Sequence, residues 1–222
     1  MEWMIDTANL SDAASCMELY PIDGLTTNPS ILKADLPFDY IERLRALRSL
    51  CGPTRSMHVQ LWADTCEDML RQADDLTERL GEGLHFKVPT TEQGVKTIGL
   101  LKKRGMRVTA TAIYYQLQGL LAIAAGADYL APYCNRMENN DIDFSRVIAG
   151  LRGVIDRDNM PSRILAASFK NTAQVCRAVS AGAHAVTVQP ALLKAAMRSS
   201  LVLSAVGAFA ADQAAVLSSD PA

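Results

Sequence analysis

Eight short runs with the composition of β-strands alternate with stretches of helical periodicity from one end of this chain to the other. The strand-like runs are Glu2–Asp6, Gly24–Thr27, Ser56–Ala63, Leu84–Val88, Arg107–Thr111, Tyr129–Tyr133, Arg163–Ser168 and Ala185–Val188. Between them apolar residues recur every three or four positions, as in Val95, Ile98 and Leu101 or Leu117, Leu120 and Leu121, the mark of a helix with one buried stripe. Strand, helix, strand in strict order means parallel pairing through βαβ units. Eight units without a linker predict a closed (β/α)8 barrel. It would be a compact one, since about 250 residues is usual and this chain has 222.

An open doubly wound sheet is the structural alternative. A dinucleotide-binding version needs a Gly-rich turn after its first strand, and the residues after Asp6 read Thr-Ala-Asn-Leu-Ser instead. The Ala-, Val- and Leu-rich stretch from Leu201 to Ser218 is left over after the eighth unit. Residues 1–222 are thus expected to form one barrel domain, with 201–218 a C-terminal helix that caps the barrel or serves subunit contacts.

Side chains alternate along a strand, so each barrel strand sends one parity to the helices and the other to the lumen. One parity is almost wholly apolar: Trp3 and Ile5, Val59 and Leu61, Leu84, Phe86 and Val88, Val108 and Ala110, Leu130 and Pro132, Leu165 and Ala167. These are expected to face the helices. The other parity ends, strand by strand, in Asp6, Gln60, Lys87, Thr111, Tyr133 and Ser168. Barrel active sites are built at that end of the strands. Six polar groups converging there exceed what a core tolerates without pairing, although a structural polar layer is the plain alternative.

Lys87 is the sharpest of the six. A lysine between Phe86 and Val88 cannot easily reach water from the lumen, and desolvation favours its neutral form. A neutral amine is what attack on a ketone or aldehyde requires, giving an imine that draws electrons; a salt bridge to Asp6 for stability alone is the competing reading. Lys170 follows the seventh strand and fits either a phosphate-binding loop or a solvated surface. Arg136, after Tyr133, is the better phosphate fork, because guanidinium donors match phosphate oxygens in pairs. His58 and His85 share the lumen parity but lie two residues deeper, as interior hydrogen-bonding groups, and His184 belongs to the opposite mouth. Cys134 has no histidine partner at the mouth to make it a nucleophile.

Composition excludes several partners. A net charge of −2 gives no field for nucleic acid or an anionic membrane surface, so an anionic substrate needs a local cationic pocket. Five scattered cysteines without a C-x-x-C pair, and three histidines, argue against a disulfide framework or a zinc site. The N-terminus, Met-Glu-Trp-Met-Ile-Asp, lacks the basic start and apolar core of a secretory signal, and no apolar run is judged to approach a membrane span. The expected compartment is a reducing cytoplasm.

The runs Thr26-Thr27-Asn28-Pro29-Ser30, Lys87-Val88-Pro89, Thr111-Ala112-Ile113-Tyr114 and Ala131-Pro132-Tyr133-Cys134-Asn135-Arg136 carry a resemblance. The chain is similar, from Asp6 to about Lys194, to the small transaldolase-like family, and most closely to its fructose-6-phosphate aldolases. That resemblance implies a (β/α)8 barrel in which Lys87 forms the Schiff base, Asp6 moves protons and Asn28 lies beside the ketose. It implies that Gln60, Thr111 and Tyr133 hold a catalytic water, that Arg136 and Ser168 take the phosphate, and that no metal or organic cofactor takes part. Sugar phosphates and aldehydes are the implied partners, and a homo-oligomer, commonly a decamer in the family, is the implied assembly. Trp62, Tyr114-Tyr115 and the Ala-rich tail depart from the family pattern and leave substrate preference and assembly open.

Three functions then compete: a lyase that cleaves a ketose phosphate, a transferase that passes a dihydroxyacetone unit to an acceptor sugar, and a non-catalytic sugar-phosphate sensor. Transaldolases usually carry phenylalanine and glutamate where this chain has Tyr133 and Gln60, so the resemblance favours the lyase.

Overall fold

A computed structural model describes residues 1–218. Eight strands close into a parallel barrel in chain order: β1 (Glu2–Asp6), β2 (Gly24–Thr26), β3 (Ser56–Gln60), β4 (His85–Pro89), β5 (Arg107–Ile113), β6 (Tyr129–Pro132), β7 (Arg163–Ala166) and β8 (Ala185–Val188). The helices are α1 (Leu10–Leu19), α2 (Pro29–Ala34), α3 (Tyr40–Cys51), α4 (Cys66–Leu80), α5 (Glu92–Lys103) and α6 (Gln116–Ala124), followed by α7 (Cys134–Glu138), α8 (Phe144–Arg157), α9 (Thr172–Ser180), α10 (Pro190–Met197) and α11 (Ser200–Ser218). All eight expected strands form, so the fold is the (β/α)8 barrel with an additional C-terminal helix.

The βα connections end on side chains that suit helix N-caps. Asn9, Asn28, Asp39, Thr65, Thr91, Asp143 and Asn171 each accept a hydrogen bond from the first turn of the helix that follows. These contacts satisfy amides the helix itself leaves free, and five of the seven lie on loops leaving the C-terminal ends of the strands, Asp39 and Asp143 instead following α2 and α7. The opposite face uses glycine: Gly81 stops α4 at φ 84°, a conformation an L side chain rarely adopts.

The helix-facing parity of β1 to β6 is buried as expected, with Ile5, Val59, Phe86, Val88, Val108, Ala110 and Leu130 all at most 2% exposed. Two members of the expected set are corrected. Leu165 pairs in register with Ala185 and clusters with Met4 and Tyr129 inside the lumen, and Ala167 lines a cavity at the barrel mouth. The two residues therefore face inward. Parallel neighbours at paired positions point the same way, and the pairing of Tyr129 with Arg163 puts the odd residues of β7 inside. Ser168 then has the wrong parity for the lumen. It reaches the mouth because it lies past the strand end at φ 64°, where the alternation no longer applies.

The chain divides into two compact units, residues 1–190 and 191–222. The first is the barrel. The described part of the second is helical, and α11 contains no buried residue. Leu201, Val206, Phe209, Val216 and Leu217 are all more than half exposed. Pro190–Ser218 is 29 residues long and contains an 18-residue window with a mean hydropathy of 1.6, which is enough in length and composition to cross a membrane. That overturns the expectation that no apolar run approaches such a span. Alanine raises the hydropathy here without the long unbroken Leu, Ile and Val run that the eye looks for.

Candidate active site

The floor of the site is set by lumen side chains deeper in the barrel, His58 and His85 lying two residues below Gln60 and Lys87. His58 and His85 stack with ring centres 4.3 Å apart, and Tyr129 meets both edge-on. His58 is held by Thr109 Oγ1 at 2.8 Å and Ser56 Oγ at 3.0 Å. Burial keeps both imidazoles neutral, His85 being pulled down to about 4 and His58 well below its usual range. As expected, they are interior groups away from the mouth. His184 accepts from the amide of Ile164 at the far end of the barrel.

Above this floor a cavity of about 320 Å³ opens at the C-terminal ends of the strands. It brings together six expected residues from five separate elements: Asp6, Asn28, Lys87, Tyr133, Arg136 and Ser168. Thr111 joins through Tyr133, donating to its phenolic oxygen at 2.9 Å. A register shift in β5 between Ala110 and Ile113 leaves Ala112 at φ 57° directly after Thr111. Gln60 lies opposite Lys87 in the β3–β4 register, but it lines an adjoining cavity. Its Oε1 is buried without a hydrogen-bond partner.

Lys87 is 4% exposed. Its amine donates to the carbonyl of Thr27 at 3.0 Å, a neutral partner that leaves the nitrogen its other valences. Desolvation lowers the amine below the ordinary lysine value, with the Asp6 carboxylate opposing. The salt-bridge alternative for Lys87 loses ground here, because its amine bonds the Thr27 carbonyl and makes no ion pair with Asp6, whose Oδ1 accepts from the Thr26 hydroxyl at 2.6 Å. That hydroxyl in turn meets Thr187 Oγ1 at 2.7 Å. Asp6 itself is raised above the usual carboxylate range by burial, against the pull of Lys87 and Thr26. A carboxyl displaced upward and an amine displaced downward are brought closer in proton affinity, which suits the pair to passing a proton between them. Burial likewise raises the Tyr133 phenol, with Thr111 opposing.

One side of the cavity is cationic. Arg136 stands beside Tyr133, its guanidinium 5.0 Å from the ring centre, and donates to the Tyr114 side chain. Lys170 also lines the cavity, with its side chain exposed, a placement that fits both of its readings. Asn28 spends its side-chain oxygen on the amides of Ser30 and Ile31, at 3.0 and 3.1 Å. Its amide nitrogen remains for a ligand. Cys134 is buried with its thiol raised to about 12, which suits packing and not nucleophilic attack. Among the described residues no three His, Cys, Asp or Glu side chains gather as a metal site would require.

Reading the sequence by strand ends missed Gln189, Asn135 and Ser30, which also line the cavity. Gln189 directly follows the last residue of β8, so the same strand-end rule carried one strand further finds it. Asn135 and Ser30 begin helices, and no alternation marks them.

Two comparisons bear on this geometry. The sequence model of the family described as transaldolase/fructose-6-phosphate aldolase matches residues 3–220. A protein of Streptococcus pneumoniae (strain ATCC 700669 / Spain 23F-1) described as a probable fructose-6-phosphate aldolase is 47% identical over 212 residues, covering 96% of each chain.

Proposed function

The chain belongs to the transaldolase/fructose-6-phosphate aldolase family, and from that premise we propose that it is a class I aldolase working on ketose phosphates such as fructose 6-phosphate through an imine at Lys87. An aldolase function fits both the family and the relative. The observation that carries the residue assignment is the buried, neutral-leaning amine of Lys87 facing a cavity whose far wall holds Arg136.

In this proposal the lone pair of Lys87 Nζ adds to the C2 carbonyl of the ketose, and loss of water leaves an iminium ion. A base, assigned to Asp6 acting directly or through a water, removes the proton of the C4 hydroxyl. The C3–C4 bond breaks, its electron pair flows into the iminium to give an enamine, and glyceraldehyde 3-phosphate leaves. Protonation at C3 by a water held between Tyr133, Thr111 and Gln60 converts the enamine back to an imine. Hydrolysis then frees dihydroxyacetone and the lysine. Arg136 and Ser168 hold the phosphate, and Asn28 donates to a ketose hydroxyl. The hydroxyl pair of Tyr133 and Thr111 favours completion of this last protonation over storage of the enamine for a second sugar, and so favours the lyase over the transferase.

Dihydroxyacetone with borohydride should inactivate the enzyme and leave a reduced adduct on Lys87, because borohydride reduces the imine to a stable amine. Fructose 6-phosphate alone, in chelator, should release glyceraldehyde 3-phosphate. An adduct on Lys170 would overturn the lysine assignment, and release only when an aldose phosphate is added would replace the lyase with a transaldolase. A cytoplasmic homo-oligomer is part of the same proposal. The exposed, largely apolar α11 supports the oligomer, and sedimentation of detergent-free protein tests it.

A further inference from the structure

The role assigned to Asp6 needs a carboxylate, whereas desolvation at the barrel mouth favours the neutral acid. Lys87 from β4 opposes that tendency with its charge. The two strands that flank β1 bring no charge at all, β2 reading Gly-Leu-Thr and β8 Ala-Val-Thr-Val. Each brings a threonine to the lumen instead. Thr26 is the register partner of Asp6, and Thr187 is the partner of Met4, two residues deeper on the same inward parity. Tyr133, Arg136 and Lys170 line the cavity with Asp6 from the segments after β6 and β7, and neither threonine bonds any of them among the described residues.

Neighbouring strands lie about 4.8 Å apart, so β2 and β8 are separated by roughly twice that distance across β1. The inward curvature of the closed barrel still brings their hydroxyls together. Thr26 Oγ1 lies 2.7 Å from Thr187 Oγ1 and 2.6 Å from Asp6 Oδ1. Thr26 and Thr187 are 0% and 3% exposed, so water does not stand in for these contacts. A hydroxyl has one proton to give. With Asp6 ionised, Thr26 gives its proton to the carboxylate and Thr187 gives its own to Thr26, and every proton has an acceptor. With Asp6 protonated on Oδ1 the chain must reverse, and the proton of Thr187 is left without an acceptor among the described residues. With Asp6 protonated on its other oxygen the chain keeps its direction and loses the charge that strengthens its short terminal bond. A buried donor without a partner costs free energy, and aligned hydroxyls polarise one another. Both routes to the neutral acid are therefore disfavoured by the threonine pair.

We propose that Thr187 is a positioning residue for the cleavage step: acting through Thr26, it directs a relay of two hydroxyls onto Asp6 and keeps that carboxyl a proton acceptor. The inference rests on the reading of Asp6 as the base and Lys87 as the imine. In the step itself the C4 O–H bond breaks and its proton passes to Asp6, while the C3–C4 electron pair flows into the iminium. Oδ1 stays bonded to Thr26, which leaves Oδ2 for the substrate. Thr187 does not line the cavity and touches no reacting atom. Its effect reaches the chemistry through the proton affinity of Asp6.

The test is the pH profile of kcat/KM for fructose 6-phosphate cleavage, which reports the free enzyme's essential groups. It is measured on the full-length wild type, Thr187→Val, Thr187→Ser, Thr26→Val and the double valine variant. Thr187→Val keeps the shape and removes the hydroxyl, so Asp6 takes up its proton more readily. The acid limb should move up by about one pH unit, a tenfold change in proton affinity, with the plateau within a few-fold of wild type. Thr187→Ser should return the limb to its wild-type position. On top of Thr26→Val, which already cuts the relay, Thr187→Val should add less than about 0.3 unit. A limb that Thr187→Val leaves in place, a loss equal at every pH that serine does not restore, or a second full shift in the double variant would overturn the proposal. Thr187→Ala gives the same comparisons should the valine variant not fold. Should the wild type cleave no sugar, the base reading fails, and carboxyl carbon-13 NMR decides the relay separately, the Asp6 signal being identified by its loss in Asp6→Asn. An Asp6 titration moved to higher pH in Thr187→Val supports the relay, and coincident titrations refute it.

Discussion

His85 and Lys87 stand two residues apart on the same face of the same strand, both almost fully buried and both driven towards their neutral forms by desolvation. Below Lys87 the lumen is filled: His85 stacks on His58, Tyr129 closes over them, and Met4, Leu165 and Ala185 complete the floor. Above, the lumen opens into a cavity with a cationic wall. Burial alone thus makes a neutral base. A base becomes a reagent only where the packing stops and leaves space for a carbonyl carbon, and the two ends of this barrel separate those conditions along about 7 Å of strand.

The largest test of the contrast is Lys87→Met. It should lower cleavage of fructose 6-phosphate by about 10³-fold or more, since the covalent route is removed altogether. It should also raise stability, because burial pushes the Lys87 amine below its ordinary value and so disfavours in the folded chain a proton that the unfolded chain binds freely. The sign follows from the lowered pKa: the folded state binds fewer protons than the unfolded one below pH 10.5, so this cost is present at neutral pH and vanishes as pH rises through that value. Denaturant midpoints would read it. A Met variant less stable than wild type would mean that the amine is a structural member like the histidines below.

Tyr133→Phe comes next. Acceptor-independent cleavage should fall by on the order of 10²-fold while imine trapping at Lys87 persists, since the hydroxyl that Thr111 addresses serves proton delivery and not imine formation. Unchanged cleavage would move Tyr133 to the packing side of the comparison. Arg136→Ala should raise KM for phosphorylated aldehydes by about tenfold or more and leave unphosphorylated ones within a few-fold. Equal losses on both would remove its phosphate role.

The smallest effect on catalysis belongs to the floor. His85→Phe should leave kcat within a few-fold and alter the acid limb of stability. His85, lowered to about 4 from 6.5, stays neutral in the folded state while the unfolded chain takes up a proton. Stability is therefore lost as pH falls from about 6.5 to about 4, by on the order of 3 kcal/mol for this group. Urea titrations across that range should slope less steeply in the variant, and parallel slopes would show that the pair does not hold a proton-linked cost.

The sequence revealed the strands, their order and most of the reactive face, because a parallel barrel repeats one physical rule eight times and apolar parity is visible wherever the two faces of a strand differ in polarity. The rule weakened where β7 shrank to four residues. Leu165 and Ala167 were assigned outward there because both parities of that strand are apolar, and only its pairing with β8 decides between them. Ser168 was reached for a reason that parity cannot supply, a left-handed backbone beyond the strand end. The adjoining cavity that Gln60 lines was illegible for another reason. Its apolar walls come from a short helix, an irregular loop, the start of α3 and the exposed Trp62, whose common direction depends on tertiary bracing by Arg43 and Asp35, not on any period in the sequence.

Asn28 serves two masters with one amide. Its oxygen is consumed in capping α2, so its orientation is fixed by the helix, and only its two N–H bonds address the cavity. An aspartate would cap α2 equally well, with one oxygen on the same amides. Its other oxygen would turn a donor into a negatively charged acceptor where the Lys87 cavity meets the one that Gln60 lines. A screen that scores folding would thus pass Asn28→Asp without remark while a screen that scores ketose binding would reject it, and at this position the fold is blind to a change that inverts what the site can recognise.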